Sequence, residues 1–213
     1  MWVSHANQRV RSPHLSQALK RDNYRCVVTG AYALDQFTDA PVMGIPLTGN
    51  LEVAHILPRS INGGVATSGS KRSEAAEVWA VMQRFGRISP LELNGDQVHR
   101  LENVITLWDG VHSLFDKLQM WFEPSDNDPY KYFVKTSFPR WGMPYLPESF
   151  IITTTDPTLP RPSPDYLRLH AACARVAHLS GAADAMYDPS FPNMICCHVA
   201  LQRVACWASD HVH

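Results

Sequence analysis

No apolar run in this sequence approaches the roughly 18 residues that a membrane-spanning helix needs. Residues 1–11 carry His5, Asn7, Gln8, Arg9 and Arg11 where a secretion signal would place its apolar stretch. The expectation is an intracellular protein, cytoplasmic or nuclear, with no membrane partner. Cysteine is equally sparse. The five residues (Cys26, Cys173, Cys196, Cys197, Cys206) are odd in number, scattered, and include an adjacent pair that cannot readily close on itself. No disulfide framework is legible, and the absence of repeated C-x2-C pairs excludes a zinc ribbon. Such thiols are expected as buried small hydrophobes. The chain also lacks internal repeats, low-complexity tracts and an excess of charge. Nineteen Lys and Arg face twenty Asp and Glu, a net charge of −1, whereas a polyanion binder shows clustered positive charge. The distribution is less even: residues 1–72 sum to +4 and the remainder to −5. Arg9, Arg11, Lys20, Arg21, Arg25, Arg59, Lys71 and Arg72 are therefore either a local basic face or an ordinary solvated surface.

What is present is enough apolar material to fold. The chain has 213 residues, 45% hydrophobic and 18% charged, which suits one large domain or two small ones. Ser12 and Pro13 are the cap and first position of a helix running to about Arg21. Cys26 to Gly30 reads as a short strand ending in a turn glycine. Residues 51–57 alternate and stop at Pro58, a strand whose end delivers His55. A Gly- and Ser-rich loop over 60–72 precedes a helix from Ser73 to about Phe85, and Pro90 to Arg100 reads as irregular. Asn103 to Leu107 is a second strand, and Asp109 caps a helix from Gly110 to about Leu118. Gln119–Glu123 and Tyr130–Thr136 form a hairpin around Ser125–Pro129. Residues 137–165 are a proline-rich connection. A helix from about Tyr166 to Leu179 follows, ended by Gly181, and the apolar tail after Phe191 fits either helix or strand.

At 100° per residue, Val111, Leu114, Phe115 and Leu118 form one apolar stripe, with His112 and Asp116 side by side at its edge. An i, i+4 imidazole and carboxylate at a core margin make a two-ligand platform for a divalent cation, with positions left for water or substrate. Each residue also has a plainer role. A lone histidine at a strand end is commonly structural, Asp116 has Lys117 or Arg25 to pair with, and the tryptophans suit a core or an interface.

Four segments in order carry more than any one of them: R-C-V-V-T-G at 25–30, L-E-V-A-H-I-L-P at 51–58, L-E-N-V-I-T-L at 101–107 and H-S-L-F-D at 112–116. Together they resemble the HNH endonucleases, in the branch reading A-H-I-x-P, then N-x-x-x-L, then H-x-L-F-D. The resemblance covers about residues 20–136. It implies an α+β fold: a ββα-metal finger with an N-terminal helix, an inserted helix and a C-terminal helical extension. Residues 1–136 would be the HNH-like domain, interrupted at about 60–100, and 137–213 a proline-rich connection and helical extension packing on it. The implied activity is hydrolysis of phosphodiester bonds in nucleic acid. His55 would be the general base, Asn103 would hold the hairpin that aims it or polarise it through its backbone, and His112, with Asp116, would bind a divalent metal. That metal would be Mg²⁺ or Mn²⁺, with Zn²⁺ also admitted by the imidazole.

Many relatives carry an aspartate before the base as a metal ligand, where this chain has Ala54. Glu52 shares the strand face of position 54 but lies roughly 6 to 7 Å along the strand. That departure and the neutral charge favour an alternative, a small-molecule enzyme using the His/Asn/His pocket for acid-base chemistry, with Phe85, Trp108 and Phe115 closing over the substrate. The alanine alone favours a silent binding module.

Overall fold

Proline at the first position and Lys20 and Arg21 in the last turn suit the ends of helix α1, Pro13–Arg21, since proline lacks the N–H that would go unpaired there and the cations face the negative end. The computed structural model describes residues 13–33, 48–58, 79–80, 82–84, 86–139 and 143–179. After α1 the chain turns sharply through Asn23 and Tyr24, both left-handed at φ 55° and 52°, with Tyr24 N–H donating to Leu19 C=O at 2.8 Å.

The expected strand at Cys26–Gly30 is a closed turn instead. Cys26 N–H donates to Ala31 C=O at 2.8 Å and Gly30 N–H to Cys26 C=O at 2.9 Å, with Gly30 at φ +70°, a conformation that favours glycine. Local ring closure wins over β-branched propensity because Val28 can bury without a strand partner. Two short strands, β1 (Tyr32–Ala33) and β2 (Thr48–Gly49), pair in parallel.

The central unit is β3 (Leu51–His55), antiparallel to β4 (Val104–Trp108), followed at once by α2 (Asp109–Asp116). The register pairs His55 with Val104 and Glu52 with Leu107. Side chains alternate across a strand, so Glu52, Ala54, Ile105 and Leu107 face α2, while Val53, His55 and Val104 face α1. The first face joins Val111 and Phe115 in the main core, and the second joins Ala18 and Leu101 in a smaller one. Asp109 is the first helical residue and not the cap: its carboxylate accepts from Gly110 N–H, while Trp108 occupies the capping position without a side-chain bond.

α1 is fastened to this sheet by a buried pair. Arg21, fully buried, donates to both carboxylate oxygens of Asp22 (2.7 and 2.9 Å) and to the carbonyls of Leu101 and Val104 (2.7 and 2.9 Å), and Asp22 accepts from Thr106 N–H at 3.1 Å. Pro160 C=O accepts from the same guanidinium at 3.2 Å, so every donor that burial strips of water has an acceptor.

A second sheet has the order β5 (Met120–Pro124), β6 (Lys131–Thr136), β7 (Ser149–Ile151), all antiparallel. The first two are the expected hairpin; β7 lies in the stretch read as bare connection. Helix α3, Pro164–Leu179, packs on β5, and its His170 stacks on Phe115 with ring centroids 3.7 Å apart. Cys26 and Cys173 are buried free thiols, as composition suggested. The mixture of helices and strands makes the chain α+β. Among the described residues no helix is long and apolar enough to cross a membrane. The 60–72 loop, Ser12, Phe85, Gly181, the tail, Cys196, Cys197 and Cys206 lie outside the described residues, and of the helix expected at 73–85 only residues 79–80 and 82–84 are described, as helical.

Candidate active site

β3 ends at His55 because the next two residues bond to Asn103 instead of continuing the ladder. Ile56 N–H donates to Asn103 C=O at 2.9 Å, and Leu57 N–H to Asn103 Oδ1 at 2.9 Å. Asn103 closes a 3-10 turn, Leu101–Asn103, immediately before β4, not in the strand itself. It is fully buried. Its Nδ2 donates to Leu57 C=O and to Val98 C=O, both at 2.9 Å. One side chain therefore fixes the segment after His55 and a second segment read as irregular, which holds the 3-10 turns Pro90–Glu92 and Gly95–His99.

The second segment ends in a residue that sequence reasoning missed. His55 Nε2 lies 2.9 Å from His99 Nδ1, with the rings edge to face, centroids 5.0 Å apart. Residues 95–99 show no hydrophobic period, and short 3-10 turns have none to show. The only available sign was a histidine four residues before the asparagine.

A separate cluster forms around α2. His112 Nδ1 hydrogen-bonds Glu52 Oε2, and its Nε2 lies 3.1 Å from Asp116 Oδ2. Burial works against a charged ring here, but the hydrogen bonds and charges of Asp116 and Glu52 outweigh it and push the His112 pKa up to about 9. At neutral pH the ring is an imidazolium between two carboxylates. Asp116 thus pairs with His112, not with Lys117 or Arg25. Among the described residues no group of three or more His, Cys, Asp and Glu side chains is disposed to hold a metal ion. The donor chemistry of one imidazole and two half-exposed carboxylates suits a divalent cation, but the geometry is that of a hydrogen-bonded chain.

The basic face does not form from the members described. Arg21 is buried in its pair with Asp22, Lys20 bonds Asp156 at 2.9 Å, and the Arg25 guanidinium lies 3.9 Å from the Tyr32 ring centre. Arg9, Arg11, Arg59, Lys71 and Arg72 lie outside the described residues. Phe115, expected over a small-molecule pocket, is a core residue at 1% exposure, and Trp108 packs edge-on against Tyr145.

Residues 26–123 match the family model of the HNH endonucleases. The resemblance read from the motifs is borne out over that segment, which contains His55, Asn103, His112 and Asp116. Among curated proteins and solved structures nothing matches.

Proposed function

We propose that this protein is a metal-dependent nuclease that hydrolyses phosphodiester bonds, with His55 as general base and with His112 and Asp116, assisted by Glu52, as ligands of a divalent cation. The observation that carries the reading is that β3, β4 and α2, inside the segment matched to the HNH endonucleases, hold a half-buried histidine at the end of β3 and an imidazole–carboxylate cluster between β3 and α2. His112 must release its proton and a carboxylate must move from hydrogen bond to ligand before the donors converge. The cation, Mg²⁺ or Mn²⁺ with Zn²⁺ also admitted, supplies positive charge to a phosphate oxygen and to the leaving oxygen.

The chain's own residues do the rest. His55 takes a proton from water as the oxygen–phosphorus bond forms, and the bond to the leaving oxygen breaks. Asn103 holds the backbone on which His55 is aimed. Glu52 lies three residues from His55, an odd offset that sends the two side chains to opposite faces of β3, so a productive complex would need the phosphate to reach both.

The test is cleavage of mixed-sequence duplex DNA and of single-stranded DNA and RNA with Mg²⁺ or Mn²⁺, and with a chelator. His55→Ala should lose about a hundredfold or more in rate with an unchanged melting temperature. Cleavage that survives chelation or His55→Ala would sink the mechanism. The small-molecule reading finds no support, because Phe115 is locked in the core and cannot line a pocket.

A further inference from the structure

We infer that the outward face of the second sheet holds single-stranded nucleic acid, with Phe133 stacked on an unpaired base and Lys131 and Lys135 pairing with the phosphates on either side. This rests on nucleic acid being the substrate and specifies the form of it that the chain grips. Alternation divides the sheet into two faces. Phe122, Tyr132, Val134 and Phe150 point inward and are buried in the main core. The residues between them on β5, β6 and β7 therefore face away from it. Such a face, next to water, is ordinarily polar. Here Phe133 on the central strand is 41% exposed, and Ile151 on the neighbouring strand is 52% exposed.

Charge decides what covers this face. Lys131 and Lys135 stand two residues before and after Phe133 on the same side of β6, each roughly 7 Å away along the strand. Among the described residues neither ammonium pairs with a carboxylate. Lys131 Nζ lies 5.8 Å from the centre of the Phe133 ring, at the outer limit of a cation–π contact, so ring and cation are both left for a ligand. Cation, ring and cation in alternation match a ligand that alternates anions with flat π surfaces, and a single polynucleotide strand is that ligand. A duplex hides its base faces in its own stack, and an acidic peptide would answer the lysines alone. Glu123 sets the path. It lies opposite Phe133 on β5, and its carboxylate accepts from Trp121 Nε1–H at 3.2 Å, which keeps negative charge on the β5 side. The strand therefore runs over β6 and β7, where Ile151, opposite Lys131, offers an apolar bed. Lys135 is in register with Trp121, the second residue of β5, and so stands at the end of the sheet that adjoins α2. Trp121 is five residues beyond Asp116, no more than about 18 Å of chain, so the platform leads toward the candidate cation ligands.

The experiment is fluorescence anisotropy of the full chain with labelled oligothymidylate and oligouridylate of about 16 nucleotides, and with a mixed-sequence duplex, in chelator at about 50 mM salt. Binding of either single strand, tighter than the duplex, supports the platform, and the tighter of the two identifies the sugar it accepts. Phe133→Ala should weaken that binding about five- to a hundredfold, the loss of one stacked base, while Phe133→Trp should bind at least as tightly as the wild type. Lys131→Gln and Lys135→Gln should each lower the log-log salt slope by about 0.7, and Glu123→Gln should tighten binding. If Phe133→Ala fails to fold, the lysine slopes decide. No binding of either strand, binding by Phe133→Ala within about twofold of the wild type, or a duplex held as tightly as the single strands overturns the inference. So does sedimentation that finds a dimer abolished by Phe133→Ala, because a second copy would then cover the face. Binding that depends on Phe133 with no cleavage once Mg²⁺ or Mn²⁺ is added would instead overturn the nuclease reading and leave the platform, and cleavage with binding indifferent to Phe133 would do the reverse.

Discussion

His112 should make this protein lose stability as the solution becomes alkaline. Its ring is raised from 6.5 to about 9 by Asp116 and Glu52 working against burial. A group whose pKa is higher folded than unfolded contributes stability that is fully present below the unfolded value, about 6.5, and is lost as pH climbs through the folded value, about 9. At about 1.4 kcal/mol per pKa unit the undiscounted contribution is about 3 kcal/mol. The ring is 20% exposed, but Glu52 and Asp116 are 54% and 58% exposed, so water and salt screen both partners. We therefore expect about 1 to 2 kcal/mol. For a chain of this size that is a melting-temperature difference of roughly 2 to 8 °C. The assay is thermal denaturation in a chelator from about pH 6 to pH 10, wild type against His112→Gln, which keeps a polar side chain without a titrating proton. The wild type should melt higher near pH 6, and the two curves should converge above pH 9. High salt should shrink the gap at the acid end, since half-exposed charges are screened. A gap that stays constant across the range, or that widens with pH, would refute the ion-paired imidazolium.

Asn103→Ala should cost about 3 kcal/mol or more, because Leu57 N–H and the carbonyls of Leu57 and Val98 lose their partner in a buried site; urea denaturation measures it. Arg21→Met should cost about 3 to 5 kcal/mol by stranding the buried Asp22 carboxylate, and Arg21→Met with Asp22→Leu should recover part of the loss, as chemical denaturation of the single and double variants would show. His170, fully buried and pushed down to about 4 by burial, stays neutral in the folded chain while the unfolded chain takes up a proton below about 6.5. Stability present above about 6.5 should therefore be lost as pH falls toward 4, by up to about 3 kcal/mol, and His170→Phe should flatten that acid slope in a denaturant titration at each pH.

The sequence made legible what depends on period and local chemistry. Alternation over 51–57 placed His55 at a strand end, and a 100° rotation placed His112 beside Asp116 off the stripe of Val111 and Phe115, as the burial of those two confirms. What it concealed was set by distance in the fold. Cys26 to Gly30 has the composition of a strand, but Val27 N–H goes to Thr106 C=O, 79 residues away, while the rest of the segment closes on itself. β7 is three residues long and exists only because β6 offers it an edge. Arg21 looked like surface charge because residue type cannot tell a solvated guanidinium from one buried on two carbonyls and a carboxylate. Glu52 was placed on the right strand face, and its bond to His112 needed the helix to be docked before it could be seen.

Ala54 is where these threads meet. At the position before His55 an alkyl side chain lies against α2 at 1% exposure, packed among Ile105, Leu107 and Phe115 in the main core. A carboxylate there would have to be desolvated or would pry the helix from the strands. Glu52, two residues earlier on the same face, reaches His112 from the solvent margin, where its charge costs little to keep. The apolar side chain at 54 packs with α2 in the core, and the carboxylate of this strand face stands nearer the solvent at Glu52. The consequence is an imidazole held between two carboxylates and protonated at neutral pH, so that any cation must compete with a proton for His112. His55 stands apart from that cluster, on the other side of the sheet and 2.9 Å from His99. In this arrangement the residue that would move the proton and the residues that would hold the cation are held by separate partners, Asn103 and His99 for one, Glu52 and Asp116 for the other.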